Sequence, residues 1–146
     1  MQVLIDTNVI LDLVLQREGC RDALAFFVWC RKHKNKTFVT SMSLRDIEYV
    51  AMRRLHDRNK ANAVLADVYC LCTKIVGVSA DSAINAIHED YKDYEDELLV
   101  QTAKEKLLDA IVTNNIKDFV GRGIAVYTPK EIVNSVAFVN MNEGNN

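Results

Sequence analysis

Val3-Leu4-Ile5-Asp6-Thr7-Asn8-Val9-Ile10-Leu11-Asp12 is the stretch on which the reading of the whole chain turns. Its first three residues are a short, unbroken apolar run, the pattern of a strand buried on both faces of a parallel sheet. Asp6, Thr7 and Asn8 follow at once, and all three are residue types that begin helices. Val9, Ile10, Leu13 and Val14 then recur at helical spacing. The stretch is therefore a strand that turns directly into a helix, with a carboxylate at the strand's carboxyl end.

Working outward, the same alternation repeats. Thr37–Thr40, Ile75–Val78, Ala110–Thr113 and Ile124–Tyr127 read as further strands. Helices are expected from Arg21 to His33, from Ser41 or Ser43 to Leu55, from Ala61 to Cys72, from Ser82 to Glu89 behind an Asp81 cap, and from Tyr94 to Leu108. Thr128-Pro129, with Glu131 close behind, starts a last one. This alternation predicts a three-layer α/β/α sandwich around a central, mostly parallel sheet. The length of 146 residues fits a single domain over 1–140 with a polar, frayed tail over 141–146.

Composition narrows the class. Hydrophobic residues at 49% and charged residues at 26% supply an ordinary core, so no disulfide or zinc staple is required. Cys20, Cys30, Cys70 and Cys72 lack redox or zinc spacing and read as reduced, small apolar fillers. No apolar run is long enough for a membrane span, and the opening residues lack the basic region of a signal peptide, so a cytoplasmic location is expected. The net charge of −2 disfavours a protein that coats nucleic acid non-specifically. It leaves room for an enzyme that meets nucleic acid through bound cations.

In parallel sheets function gathers at the carboxyl ends of the strands, and acids gather there in this sequence. Asp6 ends the first strand, Asn115 and Asp118 follow the fourth, and Glu48 lies on the helix after the second. Asp93 and Asp96 belong to the acidic run His88–Glu97 and, three apart on one helix, would share a face. Each has an ordinary alternative: Asp6 as a helix cap, Glu48 as a solvated side chain, Asp93 and Asp96 as first-turn acids favoured by the helix dipole. Together they need a stronger reason, because crowded carboxylates repel unless a cation lies among them. Hard divalent ions take oxygen ligands, keep several waters, and suit phosphodiester hydrolysis.

These segments resemble the PIN-domain family: the opening Val3–Asp12, then Asp93-Tyr94-Glu95-Asp96 with its amphipathic helix, then Ala110-Ile111-Val112-Thr113-Asn114-Asn115-Ile116-Lys117-Asp118-Phe119. The resemblance spans nearly the whole chain. It implies a Rossmann-like fold and a Mg²⁺- or Mn²⁺-dependent ribonuclease, with many bacterial members similar to VapC-type toxins that act as homodimers and are paired with an antitoxin. It implies Asp6, Glu48 and Asp96 as the catalytic, metal-binding acids, with Asp93 beside them. The fourth position holds Asn115 where an acid is usual, and Asp118 is its nearest acidic substitute. Thr7, Asn8 and Thr113 are candidates to orient the acids through hydrogen bonds. Arg53, Arg54, Arg58 and Lys60 are candidates for RNA phosphate contacts, or simply an exposed helix surface.

Two other readings compete. A phosphatase of the haloacid-dehalogenase type also starts from an Asp after a strand, but needs a second Asp where Asn8 stands. A degenerate PIN-like module, binding RNA or a protein without cleaving, is suggested by Asn115. Phe26, Phe27 and Trp29 lie in an apolar run and read as core or partner contacts, and His33, His56 and His88 carry no expected role.

Overall fold

The computed structural model describes residues 1–89 and 93–135. The domain end at 140, the tail at 141–146 and Asp90 of the acidic run lie outside the described residues. Five strands form one sheet: β1 (Gln2–Ile5), β2 (Lys36–Thr40), β3 (Lys74–Val76), β4 (Ala110–Val112) and β5 (Ala125–Tyr127). Their order is β3-β2-β1-β4-β5, and all four pairings are parallel. Every strand expected from the sequence is present, displaced by a residue or two at its ends.

The unbroken apolar run of β1 is explained by its two neighbouring layers. Val3 and Ile5 pack with Val9, Ile10, Phe26 and Ile47 on one face. Leu4, between them, packs with Leu99, Val100, Ile111 and Phe119 on the other. The first layer comes from α1 (Thr7–Val14), α2 (Cys20–Lys32), α3 (Ser41–Leu55) and α4 (Arg58–Leu71), joined by Ile132 of α7 (129–135). The second comes from α6 (Tyr94–Glu105), against which α5 (Ala80–His88) packs. The fold is thus the expected sandwich.

The helix starts differ from expectation in an instructive way. Thr40, not Ser41 or Ser43, caps α3: its hydroxyl accepts from the Ser43 amide at 2.9 Å. Ser79, not Asp81, caps α5. Asp93 caps α6 by accepting from the Glu95 amide at 2.9 Å, so it precedes the helix rather than lying in it, one turn before Asp96. In each case the cap is the last extended residue, and in α3 that residue is also the last of the strand. At α7 the expected start holds. The Glu131 carboxylate accepts from the Thr128 amide at 2.9 Å and the Thr128 hydroxyl from the Glu131 amide at 3.1 Å, a reciprocal capping box. Replacing Thr40 with Ala is expected to cost about 1 kcal/mol of stability, the usual worth of such a cap, measured as a lower urea midpoint at unchanged slope.

The four cysteines are free. Cys30 and Cys72 are buried, and burial pushes both thiols up to about 12, which leaves them unreactive. Cys70 is exposed and so is not the filler expected. Among the described residues no helix is long and apolar enough to cross a membrane.

The strand order locates the site. From β1 the chain steps to β2 and β3 in one direction, then returns across the sheet to β4 on the other side of β1. The reversal opens a crevice at the carboxyl ends of β1 and β4, where open α/β sheets bind ligands. Asp6 and Thr113 are the first residues beyond those two ends.

Candidate active site

Asp6 is buried and held from two sides. Its Oδ2 accepts from the Thr113 hydroxyl at 2.7 Å and from Asn8 Nδ2 at 2.6 Å. Thr113 Oγ1 in turn accepts from the Asn115 amide at 3.0 Å, and Asn8 Oδ1 from the Asn114 amide at 3.2 Å. Thr113 and Asn8, two of the residues singled out in the sequence, therefore both hydrogen-bond this carboxylate. Thr7 behaves differently: its hydroxyl is buried with no hydrogen-bond partner among the described residues, an oxygen beside Asp6 in the chain that remains uncommitted.

The electrostatics bring further acids to this point. Burial, above all, holds the Asp6 carboxyl above its usual range, opposed by Thr113, by the Asn8 and Thr7 amides and by the Asn8 side chain. Asp96 is pushed up to about 7, first by burial and then by the charges of Asp6, Asp93, Asp118 and Glu95. Glu95 is raised by burial and by Asp46, Asp6 and Asp93, with Arg45 partly offsetting them. Six acids from four segments therefore act on one another: Asp6 after β1, Asp46 in α3, Asp93, Glu95 and Asp96 at the start of α6, and Asp118 in the 3-10 turn Ile116–Asp118 after β4. Arg45, paired with Asp46 at 2.6 Å, lies at the rim.

Asn115 and Asp118 form one unit, because Asn115 Nδ2 donates to Asp118 Oδ2. Asp12 is half-buried and accepts from Asn114 Nδ2 at 2.7 Å, tying α1 to the same loop. Arg53, Arg54, Arg58 and Lys60 are all exposed. Arg53 alone has a structured setting: its guanidinium donates to the Tyr49 hydroxyl at 3.2 Å and lies 5.8 Å from the centre of that ring.

Asp46 and Glu95 were not singled out from the sequence. Ser43, Ile47 and Ala51 form the buried stripe of α3. Asp46 and Glu48 are about 200° apart around the helix, so they flank that stripe on opposite sides. Asp46 is on the flank that meets Glu95; Glu48 is half-buried on the other. Only the placement of α6, a long-range packing outcome, distinguishes the two flanks. Glu95 did carry a local signal, since it lies inside the acidic run.

The donor set is carboxylate, amide and hydroxyl oxygen, which suits a hard divalent cation. Among the described residues no group of three His, Cys, Asp or Glu side chains stands arranged to hold a metal ion.

Fold and site together define a parallel α/β sandwich with an acidic centre at its topological switch point. The chain belongs to the PIN-domain family, whose family model matches residues 2–117. Solved structures share the fold at low identity. VapBC2 from Rickettsia felis, bound to a fragment of its promoter DNA, aligns with a TM-score of 0.66 at 16% identity, over 88% of this chain and 98% of that one. A toxin–antitoxin complex from Klebsiella pneumoniae aligns at 0.63 and 23%, over 88% and 98%. VapC20 from Mycobacterium tuberculosis, a Sarcin-Ricin loop cleaving toxin, aligns at 0.65 and 15%, over 84% and 96%. No curated protein matches by sequence.

Proposed function

We propose that this chain is a divalent-metal-dependent endoribonuclease, the toxin of a toxin–antitoxin pair. The observation that carries the reading is the raised carboxyl of Asp96, which shares its crevice with Asp6, Asp93, Glu95 and Asp118. Folding gathers these charges at a cost, and a cation with a phosphodiester substrate turns that cost into binding and chemistry. Asp6, Asp96 and Asp118 would hold Mg²⁺ or Mn²⁺, with Asp46 and Glu95 on the α3 side and the Asn115 carbonyl as a neutral donor. The ion would supply charge for the scissile phosphate and a water of lowered pKa.

The chain's own residues do the rest. Thr113 and Asn8 fix the Asp6 carboxylate. Without metal the Asp96 carboxyl is pushed up to about 7, and a bound cation would favour its ionised, coordinating form. Arg53 lies seven residues beyond Asp46, on the same flank of α3 and about 10 Å along the axis, which suits a phosphate of a bound strand. Arg54, Arg58 and Lys60 have no such link to the crevice.

The toxin reading draws on the VapBC and toxin–antitoxin complexes that share the fold. An antitoxin protein is the partner it names, and the exposed Leu24 and Val28 on α2 offer an apolar surface for one. A second copy of the chain is the other partner, for which the exposed Ile84 and Ile87 on α5 are available.

Incubation of the purified protein with RNA and Mn²⁺ or Mg²⁺ tests the activity. The expected result is cleavage that stops on chelation and in Asp6→Asn. No cleavage, together with no calorimetric Mn²⁺ binding at millimolar metal, would overturn it in favour of a non-catalytic module. Co-expression with the product of the adjacent reading frame tests the pairing: a stable complex lacking nuclease activity is expected.

A further inference from the structure

Glu97 follows Asp96 on α6 and is fully buried, an unusual place for a carboxylate. Its partners are Gln101, whose Nε2 donates to Glu97 Oε1 at 2.6 Å, and Arg122, whose Nη1 donates to Oε2. Arg122 is also buried and lies just past the turn that carries Asn115 and Asp118. Its second nitrogen, Nη2, donates to the backbone carbonyl of Asp118 at 2.8 Å. One guanidinium thus bridges the residue next to Asp96 and the backbone of Asp118.

We propose that Arg122, paired with Glu97, is a positioning residue for the acidic centre: it locks the Asp118 turn against the α6 start that carries Asp96. The physical need is plain. Asp118 and Asp96 repel, as do Asp6 and Asp93 nearby, and no strand pairing fixes the turn at Asp118. The turn's own backbone bonds, Asp118 N to Asn115 O at 3.1 Å and Phe119 N to Ile116 O at 2.9 Å, shape it locally but do not tie it to α6. A forked guanidinium satisfies a buried carboxylate and a carbonyl at once, which a lysine ammonium cannot do with the same geometry. A buried ion pair adds little net stability compared with apolar packing, so its retention here is better explained by placement.

The inference rests on the nuclease reading, and its test is separable from it. Arg122→Ala alone would leave Glu97 buried with Gln101 but without a counter-charge and is expected to destabilise the protein strongly, so the informative variants are two others. The double variant Glu97→Met/Arg122→Met replaces the pair with apolar side chains and is expected to fold with a Tm near that of the parent. Arg122→Lys keeps a charge for Glu97 but loses the fork. In both, amide hydrogen exchange at Asp118 and Phe119 is expected to accelerate while Val112 of β4 stays protected. Calorimetric Mn²⁺ affinity is expected to fall by about 10- to 100-fold, the usual cost of losing an outer support of a metal site, and kcat to fall with little change in KM. Arg122→Lys should be the milder of the two. Unchanged exchange at Asp118 and Phe119 in Arg122→Lys overturns the proposal whether or not the double variant folds. So does parental Mn²⁺ affinity in a variant whose parent binds the ion. A parent that binds no Mn²⁺ rejects the nuclease reading instead, and the exchange rates still decide whether Arg122 holds the turn.

Discussion

Asp96→Asn is expected to abolish RNA cleavage and, in the metal-free protein at neutral pH, to raise the melting temperature. The two effects share one cause. The Asp96 carboxyl is pushed from an ordinary value near 3.8 up to about 7, so its ionised form is disfavoured in the folded state. Between those values the folded protein binds more protons than the unfolded chain, and stability falls as pH rises from about 4 to about 7. A neutral amide of the same shape removes that penalty. Asp96 is only half-buried, so solvent screening reduces the gain to about 1 kcal/mol, or about 2–4 °C in a domain of this size. Loss of an outer support at a metal site costs about 10- to 100-fold in activity, so loss of a direct ligand is expected to cost more than about 100-fold.

Added Mn²⁺ reverses the ranking. Ligand that binds only the folded state stabilises it, so the parent should gain melting temperature with metal while Asp96→Asn gains little. Scanning calorimetry from pH 4 to pH 8, with and without Mn²⁺, reads all of this. A metal-free Asp96→Asn that melts below its parent at pH 7 would show that the carboxylate is satisfied as it stands and that the crevice has no call for a cation.

The sequence made the architecture readable because its determinants are local. A strand covered on both faces has to be apolar throughout, so Val3-Leu4-Ile5 and Ala110-Ile111-Val112 identify themselves. Asp6 was equally legible, since a carboxylate directly after such a strand sits at the edge where ligands bind. Helix boundaries were less legible. Thr40 is both the last residue of β2 and the cap of α3, and a β-branched residue in an apolar run reads as strand alone. Four helices are followed or closed by left-handed non-glycine residues, Gln16, Lys34, His56 and Leu107, so the usual glycine stop signal is missing. The Arg122–Glu97 pair left no local trace, because its members are 25 residues apart and each looks like a surface charge.

Asp46 and Glu48 set the sharpest test of the candidate site, because the sequence and the structure favour different residues. The family resemblance assigned the second acid to Glu48. In the fold, α3 buries Ser43, Ile47 and Ala51, and this places Asp46 on the flank whose charge acts on Glu95 and Glu48 on the opposite flank. A helix cannot turn both toward one crevice when they are two residues apart. Asp46→Asn is therefore expected to lower RNA cleavage by at least about 10-fold and to weaken Mn²⁺ binding in parallel, as for other groups that complete or support a metal site. Glu48→Gln, on the far flank, is expected to change stability by less than about 0.5 kcal/mol and activity hardly at all, as for a side chain remote from the chemistry. Both substitutions keep shape and remove one charge, so a shared folding defect cannot imitate the contrast. The reverse outcome, with Glu48→Gln inactive and Asp46→Asn active, would return the second acid to Glu48. It would also require α3 to rotate by about half a turn when metal and substrate bind, exposing Ile47. The full burial of Ile47 between the two acids makes that rotation costly, and it is the reason to place the second acid at Asp46.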